Sequence, residues 1–463
     1  MKRLMIITAV LSALAASAEI TITGITARQR WPWNGLVDID FTISGAAAGE
    51  VFAIDIDGTT SAGTVPLSAK TYAGEPVAST GQNRIVWDLG ADYPNFRAND
   101  LRITVTATPF SDSTPIYMVI DLSGGSTATK YPVRYTTTAP AHVQGAANEP
   151  CQTTELWMKR IRVPDFAFTV NSYQVINPPT TDNHHRTYFA KLTKDYYIGV
   201  FELTQKQYQL VMGEWPNSYF NNELYRASRP VEGLFYKTFV GSNADAHEPT
   251  ATIASDKFLG KIRTKTGLPI NLPSNVQLLF ASRGGTRLTS YTGHYVYAVN
   301  GAIPSDRSTL GRCKGNVETE SPARDCDAKS GTAYVGSYLP NDYGLYDTLG
   351  NVDEYTCERY LANIVNNVPY YRDYYQTLFG DDTIGTVMSN PVIDPPGVSA
   401  DKAMLYNGSS CYRLGRGNSY KTAATGLNLW DISRIDNTGA SSSSSEGGDG
   451  LSNRGFRLSM TVE

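Results

Sequence analysis

The sequence has no surplus of one charge: 40 Lys and Arg stand against 44 Asp and Glu over 463 residues, a formal net charge of −4. That balance excludes capture of nucleic acid, or of an acidic membrane surface, by bulk electrostatics. Charged residues are scarce at 18%, which excludes a long solvated helical rod, while 41% hydrophobic and 11% aromatic residues exclude a disordered chain. No apolar run approaches the roughly 20 residues needed to span a bilayer, so no transmembrane segment is expected. Cysteine and histidine are few, five of each. No cysteines form a CxxC and no histidines an HxxxH or HxH, so the spacing writes no zinc cluster and no histidine-built iron site.

What is abundant points to turns and short strands. Tyr, at 29, is nearly twice Phe, at 15, and 40 Gly and 24 Pro are spread along a length that suits two or three domains. Met1-Lys2-Arg3 is a basic start, Leu4 to Ala16 an apolar stretch, and Ala16-Ser17-Ala18 a small-x-small cleavage motif before Glu19. Residues 1–18 therefore read as a signal peptide, and the mature chain as a secreted or periplasmic protein in an oxidising compartment. There Cys313 and Cys326 can close a short loop and Cys357 and Cys411 a long one, with Cys151 left over; the connectivity stays open.

From 19 to 110 the pattern alternates with period two. Ile20–Thr23, Val37–Phe41, Val51–Ile56, Arg84–Trp87 and Leu101–Val105 are expected as strands of an immunoglobulin- or fibronectin-like β-sandwich. Residues 111–150, rich in Ser, Thr, Gly and Pro around one strand-like run, Ile116–Ile120, read as a linker that partly packs on a neighbour. The remainder, 151–463, lacks strand-helix alternation and reads as a loop-rich α+β domain. Two helices are legible in it: Thr204 to Met212 ending at Gly213, and Asn275 to Arg283 capped by Ser274.

A set of blocks in this region carries a resemblance. Tyr196-Tyr197-Ile198-Gly199-Val200-Phe201-Glu202-Leu203-Thr204-Gln205, Pro230-Val231-Glu232, Leu272-Pro273-Ser274, Asn341 to Asp347, Leu349-Gly350-Asn351-Val352-Asp353-Glu354-Tyr355, Arg416-Gly417-Asn418-Ser419-Tyr420 and Arg454-Gly455-Phe456-Arg457 follow one another in the chain. In order and spacing they resemble the formylglycine-generating enzyme, or sulfatase-modifying factor, family. The resemblance implies a C-type-lectin-like α+β fold for the C-terminal two-thirds. It also implies copper-dependent oxidation of a sulfatase Cys by two reactive thiols just after the Gly-Ser-Tyr motif. Here those positions are Thr422 and Leu427, and neither supplies the soft thiolate that copper(I) requires, so copper is not expected.

Relatives that make sulfoxides use a His-rich helical domain placed before this fold; here β-structure stands there, and His184-His185 is a lone adjacent pair. Relatives that bind ligands use the C-terminal block as a recognition face, which maps to Tyr420, Thr422, Asn428, Trp430 and Arg434, a mixture suited to contact with a glycan, peptide or protein. The resemblance further implies a structural Ca²⁺. Asp347 and Glu354 would supply side chains, and Leu349, Gly350 and Val352 carbonyls, for the all-oxygen shell that calcium takes. A second calcium position would fall near Asn316 and Asp327. The reading that follows is a secreted family member that binds rather than oxidises. A working oxidoreductase with an unconventional site, and a structural or adhesive module on an immunoglobulin-like stalk, are the alternatives.

Overall fold

A computed structural model of the chain describes residues 20–30, 35–46, 51–61, 67–69, 72–73, 76–93, 95–109, 116–163, 168–170, 188–241, 253–284, 304–317, 329–359, 392–394, 412–427, 429, 432–436 and 452–462. The expected signal peptide at 1–18 lies outside them. No helix among the described residues is long and apolar enough to cross a membrane.

The first unit is two antiparallel sheets over one apolar core. Thr21–Gln29, Leu36–Ser44 and Gly81–Asp88 form one sheet; Val51–Thr59 forms the other with Leu67–Ser68, Val77–Ser79 and Arg102–Pro109. Each expected strand overlaps an observed one. The alternation explains why: Phe52, Ile54 and Ile56 are buried on one face of their strand and meet Ile39, Phe41 and Trp87 from the facing sheet, while Asp55 stays exposed.

The second unit begins earlier than the sequence suggests. Its central sheet runs Ser459–Thr461, Tyr196–Gly199, Glu155–Ile161, Tyr117–Asp121, Val133–Thr136, all antiparallel. The last two strands come from the segment 111–150 expected as a linker. Tyr117, Met118, Val119 and Ile120 are all buried: Met118 and Ile120 enter one core, Tyr117 and Val119 another. A strand covered on both faces reads as an apolar strand-like run, as Ile116–Ile120 does, but with no polar face its pattern does not say which sheet it joins.

Both expected helices form, as Gln205–Met212 and Asn275–Ser282. The Thr204 and Ser274 hydroxyls accept hydrogen bonds from the amides of Gln207 and Gln277, and Gly213 at φ +92 ends the first helix. A further helix, Phe258–Thr266, packs Phe258, Leu259 and Ile262 into the main core. There Phe239 stacks on Phe456 with centroids 4.2 Å apart, and the Arg413 guanidinium lies 3.8 Å from the Tyr236 ring centre. Full burial of each such ring contributes about 1.5–3 kcal/mol. A second sheet, Ile432–Asp436, Tyr412–Arg416, Asp353–Arg359 and Arg454–Gly455, brings together three of the blocks that resemble the family, those around Glu354, Arg416 and Arg454. The architecture is α+β, with short helices and many turns.

Candidate functional site

The turn between Leu345 and Glu354 is where charge enters the core. Asp347, Gly350 and Asn351 all take positive φ, at 54°, 83° and 59°, and the chain doubles back tightly enough for its side chains to point inward. Asn351 fastens it: its Oδ1 accepts from Ala333 N at 2.8 Å, its amide NH₂ donates to Glu202 Oε2 at 2.6 Å, and its own N–H donates to the Arg312 carbonyl at 2.8 Å. The other Glu202 oxygen accepts from Val352 N at 3.1 Å.

Three carboxylates converge here, and one guanidinium. Glu354 holds Arg457 through both oxygens, at 2.5 and 2.6 Å, and Arg457 also donates to the carbonyls of Gly199 and Tyr346, each at 3.0 Å. Asp347 Oδ2 accepts from Gly336 N at 2.6 Å, whereas Asp347 Oδ1 is buried with no hydrogen-bond partner. Glu202, Asp347, Glu354 and Arg457 are each at most 1% exposed. Burial pushes the Asp347 carboxyl up to about 6. Glu202 rises well above the usual carboxylate range, through burial first and then the charges of Asp347 and Glu354. Glu354 is also raised, burial outweighing the pull of Arg457. The cluster is short of positive charge.

Of the expected calcium ligands, Asp347 keeps a buried oxygen without a hydrogen-bond partner, and Glu354 accepts from Arg457 through both oxygens with one lone pair left on each. Glu202 is the acidic residue that the ligand reading leaves out. Its signal in the sequence is one carboxylate inside the otherwise apolar run Tyr196–Leu203, where a solvated acid is out of place. Asn316, near the second expected calcium position, is a loop clamp: its Oδ1 accepts from Cys313 N at 2.8 Å and its NH₂ donates to Ser308 O at 2.9 Å and Gly311 O at 3.0 Å. Asp327 lies outside the described residues.

The block after the Gly-Ser-Tyr motif is partly core. Tyr420, expected on a recognition face, is 2% exposed, its ring set edge-on to Phe220 at 5.3 Å and its hydroxyl 3.1 Å from Ser452 Oγ. An amphipathic ring with one polar atom satisfied this way fills a core as readily as a binding face. Leu427 is fully buried. Thr422 is half-buried; its hydroxyl accepts from Ser419 N at 3.2 Å and its carbonyl from Lys314 N at 2.8 Å. Lys421, Ala423 and Thr425 are the exposed members of the loop. Asn428 and Trp430 lie outside the described residues, and Arg434 sits in the strand Ile432–Asp436 with Leu414 as its backbone partner.

Among the cysteines, Cys151 and Cys313 are buried free thiols. Burial raises both thiols, Cys151 to about 12. Cys357 is buried, and Cys326, Cys411, His184 and His185 lie outside the described residues.

Comparison with known proteins places this arrangement. The model of the sulfatase-modifying factor enzyme 1-like domain matches residues 181–462. Among solved structures, Treponema denticola variable protein 1 is similar at 19% identity over 67% of this chain and 96% of its own, with a TM-score of 0.41. PvdO from Pseudomonas aeruginosa is similar at 14% identity over 70% of this chain and 100% of its own, TM-score 0.40. CarF follows at 15% identity over 66% and 99%, TM-score 0.36. No curated protein matches by sequence.

Proposed function

The chain belongs to the sulfatase-modifying factor enzyme 1-like family, and from that premise we propose that it is a secreted or periplasmic binding protein, taking a glycan, peptide or protein rather than oxidising a cysteine. One observation carries the reading. Where the resemblance requires two thiols, a Thr hydroxyl tied to the Ser419 amide and a fully buried Leu side chain stand instead, and neither atom type holds copper(I) or does thiol chemistry. The exposed edge at Lys421, Ala423 and Thr425 is then the described part of the recognition face, to which the sequence reading adds Asn428, Trp430 and Arg434. The N-terminal pair of sheets is read as an immunoglobulin- or fibronectin-type sandwich that presents the lectin-like domain.

The test is direct. The purified protein should take up no Cu(I) with high affinity and should leave a sulfatase-type Cys peptide unoxidised under oxygen, while glycan and peptide arrays should return a ligand whose binding weakens in Lys421→Glu and Trp430→Ala variants. Stoichiometric tight Cu(I) with oxygen-dependent peptide turnover would overturn the reading in favour of the oxidoreductase.

Calcium belongs to the same proposal. The unpartnered Asp347 Oδ1, buried beside a surplus of carboxylate, is the observation that suits a cation. Asp347 and Glu354 would hold it, with the carbonyls of Leu349, Gly350 and Val352; the ion would offset the surplus carboxylate charge and fix the Gly350 turn. Excess chelator should lower the melting temperature, and Ca²⁺, not Zn²⁺, should restore it. Asp347→Ala should abolish that response. An unchanged melting temperature in chelator removes the site.

A further inference from the structure

His142, Glu149 and Cys151 lie before the family-matched region, nine residues from first to last, yet they are built against it. The His142 side chain is 2% exposed, held edge-on to the rings of Phe201 at 5.1 Å and Tyr346 at 5.0 Å. Its Nε2 lies 3.0 Å from the Gly336 carbonyl, which can only accept, so Nε2 carries a proton. In the neutral ring this leaves the Nδ1 lone pair facing Glu149 Oε2, a second acceptor, at hydrogen-bonding contact. Cys151 Sγ lies 3.9 Å from the same Glu149 oxygen and 4.0 Å from the Ala141 carbonyl, and the other Glu149 oxygen accepts from Val143 N at 3.1 Å. One ligand atom from each of the three residues falls within 4.8 Å of the others.

Two acceptors that face one another with a thiol beside them are joined either by one shared proton or by a metal ion that all three residues hold. We propose that His142 Nδ1, the Glu149 carboxylate and Cys151 Sγ bind a thiophilic divalent cation, Zn²⁺. Calcium and magnesium take all-oxygen shells, whereas one nitrogen, one sulfur and one oxygen make a zinc set. The Nε2–H bond to a backbone carbonyl is the outer contact that orients a metal-binding imidazole and selects Nδ1 as the ligand. Gly336 allows that approach: at φ +79 it has no Cβ, and one placed there would stand 2.3 Å from His142 Nε2. On binding, the thiol gives up its proton to solvent as the sulfur-metal bond forms. Glu149, the most exposed of the three at 18% of its side chain, is the side from which an ion would enter. The metal would clamp residues 142–151 to the Gly336 loop, whose N–H in turn holds Asp347 Oδ2.

Full-length protein stripped of metal and titrated with Co²⁺ should bind one equivalent with a thiolate-to-metal charge-transfer band in the near ultraviolet. One equivalent of Zn²⁺ should displace it and excess Ca²⁺ should not, which separates this site from the calcium proposal. Cys151→Ser should lose the band and retain the fold; should that variant fail to fold, the wild-type spectrum together with zinc retained through gel filtration decides the matter. No charge-transfer band at saturating Co²⁺, or a band that survives in Cys151→Ser, overturns the site and leaves His142 and Glu149 as a hydrogen-bonded pair without a metal.

Discussion

Arg457→Met is expected to destabilise the C-terminal domain by about 3–5 kcal/mol, the range for removing one partner of a buried ion pair. The guanidinium is the buried cation that Glu202, Asp347 and Glu354 share, and it makes four hydrogen bonds, two to Glu354 and two to carbonyls. Burial alone would lower its affinity for a proton, yet Glu354, Glu202 and Asp347 together hold it above the usual arginine value. Without it the three carboxylates lose the cation they share in the core. Urea unfolding followed by tryptophan fluorescence measures the loss. The double variant Arg457→Met with Glu354→Leu should recover part of it, because an apolar pair of similar volume carries no desolvation penalty. A loss under about 1 kcal/mol for Arg457→Met would show that the pair does not organise the core.

How far the sequence discloses this depends on what each residue needs around it. The sheets of the N-terminal unit are legible because Phe52, Ile54 and Ile56 alternate with residues that face water, and the helices at Gln205 and Asn275 because Thr204 and Ser274 announce them. The strand Tyr117–Asp121 is legible as an apolar run, but its pairing with Glu155–Ile161 is not, since a strand covered on both faces carries no pattern that names its sheet. The helix Phe258–Thr266 is masked by Lys261, Arg263 and Lys265, which dilute its apolar stripe. At the site the contrast is sharper. Asp347 is recognisable from its turn, but Glu354's commitment to Arg457 joins residues 103 positions apart. The His142–Glu149–Cys151 set escapes any spacing rule because its orientation comes from Gly336, 194 positions away from His142. Tyr420 shows the remaining ambiguity: the same ring chemistry serves a core or a recognition face, and packing on Phe220 decides it.

The tightest backbone contact in the site supplies the other large effect. Gly311 passes so close to the Asp347–Glu354 turn that a Cβ there would stand 1.6 Å from the Leu349 carbonyl oxygen and 2.7 Å from its carbon. Neither side can yield cheaply. Gly350 returns the contact, its own notional Cβ 2.4 Å from the Arg312 carbonyl, and the Asn351 N–H to Arg312 O bond, at 2.8 Å, pins the two segments together. Gly311→Ala should therefore cost about 3 kcal/mol or more, above the usual overpacking range because backbone and not a side chain must move. It should also release the turn that carries Asp347 and Glu354. Gly315→Ala, four residues on, is the internal control: its Cβ would meet Ala424 Cβ at an ordinary 3.6 Å, so the change should stay within about 0.5 kcal/mol. Matched urea midpoints for the two variants test the claim. Equal stability in both would mean that the 311–312 and 349–351 segments can separate without cost, and the turn would no longer be the rigid base of the site.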